Sequence, residues 1–364
     1  MKTVLLVAST LGRDGTSQFI TYFINNMSNR RDLKIKVLFF RQVPDEFLDR
    51  FNERVDISSL NIQGALYKSY LKILKRIIEI RPNYCLLGFH QLVLFSFLRT
   101  FLHLFKIKIL IRDTIIPSLF HKEDSTFKKY LVRTAYKKFD YIIAQSNDMK
   151  SDLINHWECD PKKIVVINNP VDVEFVRSKV NKCPDELSGK KEFVFIAAGR
   201  LAYQKGYDIL IDRIAEMSSS VNFKIFILGA GELEIQLRKY AKEKGVDEII
   251  SFLGYRNDVA SYIYYADALI LCSRYEGFPN IVLEANSLGK PVFTNNCQGG
   301  INEILVDGQN GIVSDFSSTV SFQEGICKIL NLKFDTSKII SMTSDRYGIS
   351  TIFEKYYNFL SCLQ

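Results

Sequence analysis

Residues 267–289 read DALILCSRYEGFPNIVLEANSLG. An apolar run of strand length, 268–272, breaks at a turn marked by Gly277 and Pro279, and a helical pattern follows. Pro279 suits the first position of a helix, because its missing amide proton needs no partner there and its φ is already helical. A helix starting there leaves the amides of Asn280, Ile281 and Val282 at its open end, where unpaired N–H groups and the positive end of the helix dipole suit a phosphate. Glu276 precedes the turn and Glu284 follows eight residues later, two polar handles for a sugar-phosphate. A plainer account of the same residues is a strand, a turn and a helix with one solvated and one capping glutamate.

A second cluster shifts the balance. The apolar strand 193–197 runs into Gly199-Arg200-Leu201, and Lys205-Gly206 lies behind it across a turn. An arginine and a lysine five residues apart, aimed at one place, fit a diphosphate.

In order, GRLAYQKGYD from Gly199, FILGAGE from Phe226, FLGY from Phe252, SRYEGFPNIVLEA from Ser273, and GGINEIL from Gly299 with DGQNG resemble the donor half of the family 4 glycosyltransferases. Those are retaining, metal-independent enzymes of the GT-B fold that use nucleotide-sugars. The resemblance runs through roughly residues 193–315, and the amino-terminal half matches only loosely. It implies a catalytic set of Arg200 and Lys205, which neutralise the departing diphosphate, and Glu276, which accepts hydrogen bonds from the donor sugar. It also implies that Glu284 holds the ribose hydroxyls and that Gly199, Gly277, Phe278, Pro279, Asn280 and Ile281 border the donor. Gly229 and Gly231 then support the nucleotide loop, although GAGE lacks the third glycine of a dinucleotide fingerprint. Tyr255 or Arg256 would stack near the base.

In the first half, the polar loop 9–17, STLGRDGTS, precedes a helix expected from about Gln18. Gly12 and Gly15 there let backbone amides approach a ligand, although the adjacent glycines usual in the family are absent. Arg112-Asp113 resembles the family's arginine variant at its strand end, so Arg112 is expected to contact the acceptor or the donor phosphate. His121 reads as a surface histidine, and Gln145-Ser146 and Asn168-Asn169-Pro170-Val171-Asp172 as hinges.

The wider chain suits an α/β protein. Strands are expected at 3–8, 35–39, 84–87, 107–111, 141–144 and 164–167, then at 193–197, 223–228, 249–252, 268–272 and 291–294, alternating with amphipathic helices. We expect two Rossmann-like doubly wound domains facing across a cleft, with the ligand at the carboxyl ends of the strands. The expected parts are an acceptor-binding domain at 1–176, a linker at 177–191, a nucleotide-sugar domain at 192–346, and a C-terminal helix at 347–364 returning to the first domain.

Composition narrows the rest. With 364 residues and 47% hydrophobic content the chain can bury two full cores. Its seven cysteines lack a CxxC pair, and MKTVLLVASTLG reads as a first strand rather than a signal peptide, so a cytoplasmic location is expected. The apolar stretch 85–110 is interrupted by charges too often to span a bilayer. No metal is expected: there is no DxD, and His90, His103, His121 and His156 lack ligand spacing. Residues 1–180 carry 29 Lys and Arg against 18 Asp and Glu, whereas the remainder carries 19 against 22. With no zinc-finger spacing, RNP motif or helix-turn-helix, nucleic acid is not an expected partner, and the basic half is expected to meet an anionic membrane surface. The helical patterns 67–80 and 91–105 could supply a basic interfacial surface, or simply pack on the sheet.

The expected activity is transfer of a hexose or N-acetylhexosamine from a UDP-sugar to a hydroxyl of a membrane-linked glycan, at the inner face of the membrane. A sugar-nucleotide epimerase and a catalytically silent membrane-binding protein on the same fold are the alternatives.

Overall fold

The computed structural model describes residues 1–12, 15–48, 51, 55–88, 91–217 and 222–363. Its contacts divide the chain into two compact units, Met1–Pro170 with Ile352–Gln364, and Val171–Thr351. Arg13, Asp14 and His90 lie outside the described residues.

The first unit holds a seven-stranded sheet of β1 (Lys2–Ala8), β2 (Leu33–Phe39), β3 (Asp56–Ser59), β4 (Tyr84–Gly88), β5 (Lys108–Arg112), β6 (Tyr141–Ala144) and β7 (Ile164–Val166). Its order is β3-β2-β1-β4-β5-β6-β7, and every pairing is parallel. Val4 to Ala8 are all buried, as expected of a strand covered by helices on both faces.

The second unit repeats the plan with six strands: β8 (Phe193–Ala198), β9 (Phe223–Leu228), β10 (Ile250–Gly254), β11 (Ala268–Leu271), β12 (Val292–Asn295) and β13 (Gly311–Ser314). Their order is β10-β9-β8-β11-β12-β13, again parallel throughout. Strand order reverses between β1 and β4 in the first sheet and between β8 and β11 in the second. Crevices open at the carboxyl ends of strands at such reversals.

The expected strands all form, and two more appear, β3 and β13. Both are four-residue edge strands, DISS and GIVS. An edge strand pairs on one side only, so little apolar sequence marks it.

The last helix, Ile349–Cys362, passes from the second unit to the first. There Phe353 and Tyr356 pack on Phe19 and Phe23, the Tyr84 hydroxyl donates to the Leu363 carbonyl at 2.7 Å, and Lys2 Nζ donates to the Ser361 carbonyl at 2.9 Å. The units divide at Pro170/Val171, so the segment 177–191 lies within the second unit. Asn181 N donates to Ser261 Oγ at 2.8 Å and Glu186 pairs with Arg256 at 3.1 Å, fixing that segment in place. Among the described residues no helix is long and apolar enough to cross a membrane.

Candidate active site

The two motif loops of the second unit meet at the reversal of its sheet. β8 and β11 are parallel neighbours, so the segments leaving their carboxyl ends, 199–206 and 272–279, emerge side by side. They are stitched together by backbone and side chain. Arg274 N donates to Gln204 O at 2.8 Å, Gln204 Nε2 to Tyr275 O at 3.0 Å, and the Cys272 thiol to Lys205 O at 3.1 Å. The Arg274 guanidinium bonds the Tyr203 carbonyl and the Asp208 carboxylate, both at 2.8 Å.

This stitching sets Lys205 Nζ 2.6 Å from Glu276 Oε1. Ser273 Oγ donates to the same oxygen at 2.6 Å, leaving Oε2 without a partner among the described residues. Glu276 is 7% exposed. The stem of Lys205 crosses Gly199 so closely that a Cβ there would sit 3.1 Å from Lys205 Cε. Arg200, by contrast, is exposed, and its guanidinium has no hydrogen bond or ion pair among the described residues. Burial holds the Tyr275 hydroxyl above its ordinary range, and the Arg200 charge pulls it the other way.

The turn after Glu276 is held from beneath. Glu276 N donates to Gln298 O at 2.9 Å and Gly300 N to Gly277 O at 3.1 Å. A Cβ on Gly299, whose φ is +132°, would lie 2.3 Å from the Glu276 carbonyl, so only glycine lets these backbones touch. Phe278 is buried against Tyr347, with ring centroids 5.3 Å apart, and serves the turn as an anchor.

The helix that follows is Asn280–Ser287, one residue later than expected, with Pro279 in extended conformation as its N-cap. Its first turn closes tightly, since Val282 N donates to Pro279 O at 3.1 Å. The Val282 amide, expected to be open for a phosphate, is therefore already used. Glu284 is half-buried on this helix, and its carboxylate has no hydrogen bond or ion pair among the described residues. Burial pushes its carboxyl above the ordinary carboxylate range, with the Lys179 charge pulling the other way.

Gly229 and Gly231 lie against the Arg200 loop. Added Cβ atoms would come within 2.0 Å of the Gly199 carbonyl and 2.4 Å of the Leu201 carbonyl, and Leu201 N donates to Ala230 O at 3.0 Å. Their contact is to protein backbone, which is how they shape the loop that carries Arg200. Tyr255 is 60% exposed, whereas Arg256 is held by the Tyr262 hydroxyl and by Glu186, each at 3.1 Å.

The first-unit residues are placed differently. Gly12 N donates to Ser17 Oγ at 2.8 Å, so that amide is engaged, and Gly15 opens the helix Gly15–Met27 three residues before Gln18. Arg112 is 4% exposed: its Nε donates to the Tyr356 hydroxyl at 3.1 Å, its Nη2 to Asn169 Oδ1, and its guanidinium lies 3.6 Å from the centroid of the Phe19 ring. His121, expected at the surface, is buried edge-on to Trp157 and paired through Nδ1 with Asp124. The helix Pro117–Phe120 delivers it there. Ser146 and Asp172 each cap a helix, and Asn168 Nδ2 donates to Gln145 O at 2.9 Å.

Comparison with known proteins assigns this architecture. Residues 46–175 match the family described as Glycosyltransferase Family 4, and residues 181–344 match Glycosyl transferases group 1. The chain belongs to the family 4 glycosyltransferases. Among the relatives of this glycosyltransferase is the N-acetylgalactosamine-N,N'-diacetylbacillosaminyl-diphospho-undecaprenol 4-alpha-N-acetylgalactosaminyltransferase of Campylobacter jejuni, 25% identical over 62% of this chain and 61% of the relative. Another is the UDP-Gal:alpha-D-GlcNAc-diphosphoundecaprenol alpha-1,3-galactosyltransferase of Escherichia coli, 30% identical over 56% of this chain and 55% of the relative. The glycosyltransferase thus matches less than two thirds of the length of either. Of the solved structures, the lipopolysaccharide outer core galactosyltransferase WaaB superposes with a TM-score of 0.75 at 20% identity, covering 100% of both chains. HepE of Anabaena, solved in complex with UDP, gives a TM-score of 0.76 at 20% identity, also covering 100% of both. These likenesses show the GT-B fold.

Sequence reasoning missed Ser273 and Lys179, which act on the two glutamates, and the support that Gln298, Gly299 and Gly300 give from below. Ser273 and GGINEIL stood in the quoted motifs, but no local pattern says that a serine three residues away bonds a glutamate.

Proposed function

We propose that this glycosyltransferase moves a hexose or N-acetylhexosamine from a nucleotide-diphosphate sugar, with UDP as the nucleotide, to a hydroxyl of a membrane-linked glycan intermediate, retaining configuration and needing no metal ion. The observation that carries the reading is the Lys205–Glu276 pair at 2.6 Å beside an unpaired Arg200, at the reversal of the second sheet. As the bond between the anomeric carbon and the diphosphate breaks, negative charge grows on the leaving oxygen. Arg200 and Lys205 stabilise that charge from positions set before the reaction, the form of catalysis in which no reorganisation cost falls on the reacting step. Glu276, held through Oε1, offers Oε2 to the donor sugar hydroxyls and so orients the anomeric carbon. Glu284 takes the ribose hydroxyls.

The donor class is supported by the UDP-Gal specificity in the name of the Escherichia coli relative and by UDP in the HepE complex. The acceptor class is supported by the diphospho-undecaprenol acceptors named for both relatives. On this reading the enzyme works in the cytoplasm, peripherally at the inner face of the cell membrane.

Thermal shift against a panel of nucleotide-sugars identifies the donor, and incubation of that donor with and without a lipid-linked glycan tests the reaction. Acceptor-dependent release of UDP is expected. Conversion of the donor to a different UDP-sugar without acceptor would make the protein an epimerase, and no donor-dependent stabilisation by any nucleotide-sugar would remove the transferase reading.

A further inference from the structure

The positive charge of the first half is concentrated in one interval. Residues 67–138 carry 15 Lys and Arg against 4 Asp and Glu, a net of +11, whereas residues 1–66 stand at +2 and 139–180 at −2. Besides the short helix Pro117–Phe120, that interval holds the helices Tyr70–Ile80, Leu92–Leu104 and Thr126–Lys137, and Leu92–Leu104 packs against the other two of these.

The middle helix has two apolar stripes. Leu92, Phe95, Leu98 and Leu102 are buried and seat it in the core. Phe97, Phe101 and Leu104 follow one another at spacings of four and three and face outward, continued by Phe105, with exposures between 47% and 75%. Isolated exposed hydrophobics are ordinary, but a run of large ones along one helix face is a patch that water does not favour.

One cation reaches the patch, one follows it in sequence, and the helix packed beside it carries two more. Lys138 Nζ lies 5.7 Å from the centroid of the Phe97 ring, Lys106 follows the helix, and the neighbouring helix adds Lys72 and Lys75 beside the exposed Leu71. Arg76, Arg99 and Lys128 are matched by Glu79, Asp140 and Asp124. Lys68, Lys75 and Lys106 have no ion-pair partner among the described residues. Exposed apolar rings, with unpaired cations at the end of the same helix and on the helix packed beside it, are complementary to an interface that offers acyl chains below and negative headgroups above. A second copy of this chain would set one strongly basic face against another and is disfavoured by charge.

We propose that the outward face of the helix Leu92–Leu104, with the basic side chains flanking it, is the surface on which the first unit rests on a bilayer carrying anionic headgroups. At 13 residues the helix is too short to span and lies in the plane of the interface. The proposal extends the membrane-linked acceptor reading by naming the contact surface, but it is measured without any sugar.

The test is flotation of the full chain with vesicles of phosphatidylcholine alone or mixed with phosphatidylglycerol. Binding to the mixed vesicles that weakens with salt is expected, and about tenfold weaker binding for Phe97→Ser/Phe101→Ser and for Lys75→Glu/Lys106→Glu. Unchanged melting temperatures and unchanged donor-induced thermal shift in these variants would show that the second unit is intact. Equal binding to both kinds of vesicle, or parent-like binding by both variants, would overturn the proposal. So would a lipid-free dimer of the parent, seen by sedimentation, that Phe97→Ser/Phe101→Ser dissolves. Retained vesicle binding with no sugar transfer would leave the docking surface standing and sink only the transferase reading.

Discussion

Lys205 Nζ and Glu276 Oε1 lie 2.6 Å apart although the residues are 71 positions apart in sequence. One is a cation expected at the diphosphate, the other a carboxylate expected at the sugar, and here each holds the other in position. Arg200 has no such partner. The two cations should therefore respond differently to removal. Arg200→Ala should lower turnover about tenfold or more, roughly 1.4 kcal/mol of barrier, while urea unfolding stays within about 0.5 kcal/mol of the parent. Lys205→Ala should lower turnover similarly and also cost about 1–3 kcal/mol of stability, because Glu276 is left buried without its charged partner. Equal stability in both variants would show that the pair does not hold the loop, and normal turnover in both would confine the charges to a surface role.

Glu284 has the reverse balance. Its carboxylate is unpaired and burial raises its pKa, so the folded state is the poorer host for its charge. Glu284→Gln should raise the melting temperature at neutral pH and weaken UDP binding about tenfold, the trade expected where a site keeps a group for a ligand rather than for the fold. Isothermal titration and calorimetry on the same sample check both. A lower melting temperature would show that the carboxylate supports the helix.

Arg112 ties three parts of the first unit: the end of β5, Asn169, and Tyr356 of the last helix. Arg112→Met should cost about 2–4 kcal/mol, through hydrogen bonds to a charged group and the unpaired acceptors left behind, and should make the last helix an early site of limited proteolysis. If Arg112 serves mainly to bind acceptor or donor phosphate, stability will hold and KM will rise instead.

Asp113 gives the first unit a pH dependence. It is fully buried; Oδ2 accepts from the Tyr136 hydroxyl at 3.1 Å, and Oδ1 has no partner among the described residues. Burial pushes its carboxyl from 3.8 up to about 8, with the Tyr136 hydroxyl and the Arg112 charge pulling down and Asp152 pushing up. The folded state thus holds the proton more tightly than the unfolded chain does. The resulting stability is present below the unfolded pKa of 3.8 and is lost as pH rises through about 8. The denaturation midpoint of the parent should fall between mildly acidic and mildly alkaline pH, and the fall should be smaller in Asp113→Asn. Parallel pH profiles would assign the dependence to other groups.

The strand rhythm was legible in the sequence because a parallel strand covered on both faces is written as a nearly continuous apolar run, as at Val4 to Ala8 and Val194 to Ala197. The edge strands β3 and β13 were not, since one neighbour and few buried side chains leave little trace. The residue types of the site were also legible: an arginine and a lysine after one strand, two glutamates around a turn after another, and glycines where backbones meet.

Only the tertiary structure decided which of these groups share an atom. The order β10-β9-β8-β11-β12-β13 places the ends of β8 and β11 together, and that adjacency pairs Lys205 with Glu276 and turns Ser273 onto the same oxygen. The same level of structure engages Arg112 inside the first unit and buries His121. The physical reason is range. Propensity, periodicity and capping act over a turn or two of chain, whereas a hydrogen bond across 71 residues exists only once the sheet has chosen its neighbours.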